Sequence, residues 1–93
     1  MRVGAVVPYW LGRPAGEALE VVRVAERGSL DEVWIGEMLS YDAFALAGAA
    51  AVATSSIRLV VGPLPVTVRT PVGIAMGVAG LQALAGPDRV GLA

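Results

Sequence analysis

Residues 32–62 read EVWIGEMLSYDAFALAGAAAVATSSIRLVVG. The stretch opens on EVWIG (32–36) and closes on IRLVV (57–61), two short runs rich in β-branched and aromatic residues. Between them lies a helical pattern that Ser40 or Asp42 can cap and that runs through Phe44, Leu46 and a series of alanines to Thr54. It is apolar almost all round. A strand, a helix and a second strand in this order form a crossover unit, which joins parallel strands rather than a hairpin pair.

The same alternation continues on both sides. Upstream, RVGAVV (2–7) is a continuous apolar run ended by Pro8, the pattern of a strand buried on both faces. Pro14 then opens a helix in which Ala18, Leu19, Val22 and Ala25 recur on one side while Glu17, Glu20, Arg23 and Arg27 face away. Gly28 is placed to stop it. Downstream of the third strand, the proline-rich GPLPVTVRTP (62–71) leads to Thr70 as N-cap and Pro71 as the first residue of a third helix, ended by Gly86 and Pro87. RVGLA (89–93) then begins another β-like run.

Strand starts near positions 2, 32, 57 and 89, with a helix in each gap, predict an α/β chain of about three and a half βα units in a parallel sheet. The expectation is one partial domain, residues 1–93, forming the N-terminal part of a (β/α)8 barrel of the TIM type and stopping inside its fourth strand. A doubly wound sheet shares this local pattern, and strand count alone does not separate the two. The turn after the first strand, PYWLGRPAG (8–16), lacks the GxGxxG of a dinucleotide-binding unit. The motifs described below favour the barrel.

Composition limits the functions available. Of the 93 residues 56% are apolar, more than a chain this short can hide in its own core, so some apolar surface is expected to meet another chain or the remainder of a barrel. The net charge is −1, and all seven basic residues are arginine. No basic stripe is present for a nucleic-acid backbone or an anionic membrane. With neither cysteine nor histidine, no disulfide framework and no metal centre is expected. The N-terminal apolar run is too short for a signal peptide, so the expected compartment is the cytoplasm. Residues 70–87 are uncharged and contain the pair Gly73 and Gly77, but they leave only about fourteen residues of helix between Pro71 and Gly86. About twenty are needed to span a bilayer. The expectation is a helix packed closely on the sheet through its glycines.

Three segments in this order resemble the start of the luciferase-like family of flavin- and deazaflavin-dependent oxidoreductases: DEVWIGE (31–37), DAFALAGAAAVATSSIRLVVG (42–62) and PLPVTVRTPVGIAMGVAGLQAL (63–84), ending in DRVGLA (88–93). The resemblance covers essentially the whole chain and implies a (β/α)8 barrel. VWIGEM, VGPLPV and VRTPVGIAMG are similar to the branch that uses the deazaflavin coenzyme F420, with the FMN-dependent monooxygenase branch as the alternative. It implies hydride transfer between the cofactor ring and a small organic substrate at the C-terminal face of the barrel. The cofactor phosphate of such barrels is typically held after the late strands, so the 93-residue chain alone is expected to be inactive and to bind cofactor weakly. A non-catalytic, self-associating β/α module is the reading from a different class.

The resemblance places the candidate site at the strand ends. Glu37 directly follows the second strand and is carried over as a cofactor-side polar residue, against the plainer reading of a loop carboxylate that is solvated or caps the next helix. In several family members the acidic residue here precedes a catalytic histidine. This chain has Met38, so the obvious acid and base is missing and no catalytic residue is assigned. The resemblance also implies a cis peptide bond at the end of the third strand, in a bulge against which the ring leans. The matching bond is Gly62–Pro63, where proline makes the cis form far more accessible than an ordinary residue would. Leu64 and Pro65 continue this apolar wall. Arg69, just before the third helix, is expected to form a structural salt bridge to a neighbouring glutamate. Pro8, Tyr9 and Trp10, after the first strand, are candidates for lining a substrate pocket.

Overall fold

The computed structural model describes residues 2–7, 14–37, 41–64 and 69–93. Four strands, β1 (Gly4–Val6), β2 (Glu32–Ile35), β3 (Arg58–Val61) and β4 (Val90–Leu92), alternate with helices α1 (Ala15–Arg27), α2 (Ala43–Ala53) and α3 (Pro71–Ala85). A 3₁₀ turn, Pro87–Arg89, leads into β4. All pairings are parallel, and the spatial order β1-β2-β3-β4 is the order of the sequence. That order decides between the two candidate folds. A doubly wound sheet reverses direction at a switch point, whereas here every crossover steps the same way and lays its helix on the same face. The architecture is that of the first units of a TIM-type barrel.

Alternation along the strands explains the core. Val33, Ile35, Leu59 and Val61 point to the helix side and are essentially fully buried. They meet Ala18, Val22 and Ala25 of α1, Ala43, Ala47, Ala50 and Ala51 of α2, and Leu81 of α3. Each large buried side chain contributes about 1.5–3 kcal/mol relative to exposure. Helix α2 packs against α1 on one flank, α3 on the other and the sheet beneath, which is why its sequence is apolar on every side.

Among the described residues no helix covers the opposite sheet face. Val6 is 61% exposed and Trp34 37% exposed on this face, and they share a register row with Gly91 and with Val60, which is buried. This corrects the expectation that the first strand is buried on both faces: the run is apolar throughout, but helices cover one face only.

Two further corrections concern glycines. The first helix does not end on a left-handed Gly28, whose φ is −81°. Ser29 takes the left-handed conformation, with φ 60°. The N–H of Leu30 donates to Ala25 O and that of Ser29 to Glu26 O, the paired bonds of a Schellman cap. The glycines of α3, in turn, do not pack on the sheet. A Cβ on Gly77 would lie 2.7 Å from the Phe44 ring, and one on Gly73 would approach the capping Thr70 hydroxyl. Gly77 therefore brings α3 against α2, and Leu81 is the residue that reaches the core.

At the N-terminal ends of the strands, the Glu26 carboxylate accepts the backbone N–H groups of Ser55, Ser56 and Ile57 at 2.8–3.2 Å. These bonds, that of Ser56 foremost, hold its pKa down at about 2. Arg89 donates to Ile57 O at 3.0 Å and to Thr54 Oγ1 at 2.7 Å, closing the same end between α2 and β4.

Candidate functional site

The C-terminal ends of β2 and β3 lie side by side. Gly62 N–H donates to Ile35 O at 3.0 Å, continuing the ladder one residue past β3, and Glu37 N–H donates to Pro63 O at 3.1 Å. Gly62 has φ 147°, and a Cβ there would run into the carbonyl of Ala93 beyond β4. Only glycine fits that approach. The Gly62–Pro63 bond is cis. Pro63 is exposed, while Leu64 is half-buried and packs on the edge of the core. Together they form an apolar shoulder at the end of the third strand.

Beside this shoulder sits a charged cluster. Arg69 reaches back from just before α3, its Nε 2.7 Å from Glu37 Oε1 and a terminal nitrogen 2.6 Å from Glu37 Oε2. The same guanidinium lies 3.0 Å from Asp42 Oδ1 and stacks over the Phe44 ring at 4.9 Å. Glu37 Oε2 also accepts the N–H of Ala43 at 2.9 Å, in the first turn of α2. Asp42 is the N-cap of α2, accepting from Ala45 N–H at 3.0 Å, and Thr70 caps α3 through Gly73 N–H at 3.0 Å. Each member is thus set by local sequence: two caps, one strand end, and an arginine one residue before a cap.

The electrostatics follow from these bonds. The Glu37 carboxyl is held below its ordinary value, chiefly by the Arg69 hydrogen bonds and then by the Ala43 N–H, against a burial effect that raises it. Burial also raises Asp42, but the Ala45 N–H and Arg69 outweigh it and leave this carboxyl low as well. Arg69 is held firmly charged by Glu37 first and then Asp42. The side chain of Glu37 is only 6% exposed and that of Arg69 15%.

The structure therefore brings together Glu37, Gly62, Pro63 and Leu64 at the C-terminal ends of β2 and β3. Pro8, Tyr9, Trp10, Met38 and Pro65 lie outside the described residues. Arg69 pairs with a glutamate as expected, and that glutamate is Glu37 itself. The sequence reading missed that Phe44 and the Ala43 N–H belong to the cluster. The available signal was Asp42 as a helix cap, because a cap fixes the residues after it against the preceding strand end. Among the described residues no group of three His, Cys, Asp or Glu side chains could hold a metal ion. No described helix is long and apolar enough to cross a membrane.

A singly wound parallel sheet with an apolar shoulder and a set of fixed charges at its C-terminal strand ends matches the first units of a β/α barrel, the class of fold in which that end generally carries the chemistry. The chain belongs to the luciferase-like monooxygenase family, whose model matches residues 1–92. No curated protein matches it.

Proposed function

We propose that the chain forms the opening units of an oxidoreductase that transfers hydride between the deazaflavin coenzyme F420 and a small organic substrate. The carrying observation is the apolar shoulder of Pro63 and Leu64 at the C-terminal end of β3, in a family whose members are oxidoreductases. An apolar surface at this position fits one face of a planar tricyclic ring. Arg69 is committed to Glu37 and Asp42, so it does not serve the cofactor's phosphate. A bound deazaflavin or flavin would supply the hydride chemistry. The residues of this chain would supply position: Gly62, Pro63 and Leu64 against the ring, Glu37 behind them, and Pro8, Tyr9, Trp10 and Pro65 as further candidates around the pocket.

The wording VGPLPV and VRTPVGIAMG supports the deazaflavin branch over the alternative, an FMN-dependent monooxygenase. Titrating the chain with each cofactor while following its absorbance tests the choice. Weak binding, with F420 tighter than FMN, is expected. FMN binding more tightly would overturn the preference.

A second reading is favoured by the uncovered sheet face with its exposed Val6 and Trp34. Both outer strands, β1 and β4, also keep one edge unpaired among the described residues. Self-association through these edges would cover both. Sedimentation velocity separates the cases: a discrete oligomer supports a self-assembling module, and a monomer contradicts it.

A further inference from the structure

Glu37 touches the β3–α3 connection twice. Its backbone N–H holds Pro63 O, and its side chain holds Arg69, six residues further on. The same carboxylate also receives the first turn of α2 through Ala43 N–H. One residue at the end of β2 thus fixes both ends of one connection and the start of the next helix. Its carboxylate has about four acceptor positions, and the described residues fill three of them.

We propose that Glu37 is a positioning residue rather than a ligand of the cofactor. It ties Pro63 and Arg69, the two ends of the β3–α3 connection, to the end of β2, and so holds the shoulder of Pro63 and Leu64 in place. The purpose of that shoulder rests on the function proposed above, whereas the clamp itself does not. The two contacts are coupled through the single residue they share. Without Arg69, an enclosed carboxylate loses its counter-charge and is drawn toward water, which pulls residue 37 away from Pro63.

Amide hydrogen exchange on the isotope-labelled full chain tests the coupling. In Arg69→Gln the amides of Glu37 and Ala43 should exchange at least tenfold faster, while Gly62, bonded to Ile35 and outside the clamp, stays within about twofold. Arg69→Lys keeps the charge without the paired geometry and should fall between the two. It carries the comparison alone if Arg69→Gln does not fold. A Glu37 amide that exchanges in the unaltered chain as fast as an unstructured peptide would overturn the proposal. So would one unchanged within twofold in every folded variant.

Titrating the same samples with F420 and FMN separates clamp from ligand. A positioning role predicts that Arg69→Gln weakens binding as much as Glu37→Gln does. A direct ligand role predicts that Arg69→Gln, with Glu37 intact, keeps its affinity, and that result overturns the proposal. If the unaltered chain binds neither cofactor, the functional reading fails and the exchange data still decide the clamp.

Discussion

Each end of the sheet is tied together by one glutamate, and the two are held by different kinds of donor. At the N-terminal end Glu26 is gripped by three successive backbone N–H groups, those of Ser55, Ser56 and Ile57. At the C-terminal end Glu37 is gripped mainly by a side chain, Arg69, which Asp42 and Phe44 hold in turn. Backbone donors are present whatever side chains occupy positions 55–57, so this grip needs only Glu26 to be kept, with Arg89 closing the same end separately toward β4. The second end depends on a set of side chains that must change together. This is the expected division in a β/α barrel, where one end serves stability and the other carries chemistry.

Removing the counter-charge at the C-terminal end should have the largest effect. Arg69→Ala strands an almost enclosed carboxylate, and losing one partner of such a pair costs about 3 kcal/mol. Urea unfolding should show a lower midpoint with an unchanged slope. A loss below about 1 kcal/mol would make this pair equivalent to a solvated surface bridge. Glu26→Gln should cost less, about 2 kcal/mol, because the freed N–H groups lie largely within reach of water. If it proves the costlier of the two, the division between the ends is reversed.

Acid should strip both ends in the same direction. Glu26 and Glu37 each have a folded pKa below the unfolded value, so the unfolded chain binds more protons as pH falls. Their stabilisation is complete above about pH 4.5 and is lost as pH drops toward about 2, the value held by Glu26. Thermal melts should therefore be flat from pH 8 to 5 and fall below that, and Glu26→Gln should visibly flatten the fall. The smallest effect is expected from Asp42→Ala, which loses a helix cap and one contact to Arg69 for about 1 kcal/mol. A cost equal to that of Arg69→Ala would place Asp42, not Glu37, at the centre of the cluster.

Much of the fold was legible because it is written in local rules. The apolar runs at 32–36 and 57–61, the caps Asp42 and Thr70, the leading Pro71 and the stopping Gly86 all act where they stand. What escaped depends on contacts distant in sequence. Gly77 reads equally well as a sheet contact, and only the meeting of α2 and α3 shows that it makes room for Phe44. The uncovered face of β1 could not be told from a covered one, since an apolar run looks the same either way. Propensity ranks Gly28 above Ser29 as the turning residue, whereas the bonds to Ala25 and Glu26 settle that Ser29 turns. At the candidate site, the strand-end residues were readable from the resemblance and Arg69 as a partner of some glutamate. That its partner is Glu37, and that Glu26 closes the other end, needed three dimensions.

On the function proposed above, ligand chemistry belongs to the C-terminal strand ends. A ¹H–¹⁵N spectrum of the labelled chain titrated with coenzyme F420 tests it directly. Shifts at Glu37, Gly62 and Leu64, with Ser55, Ser56 and Ile57 unmoved, are the predicted result. Shifts centred on residues 55–57, or spread evenly over both ends, would contradict it.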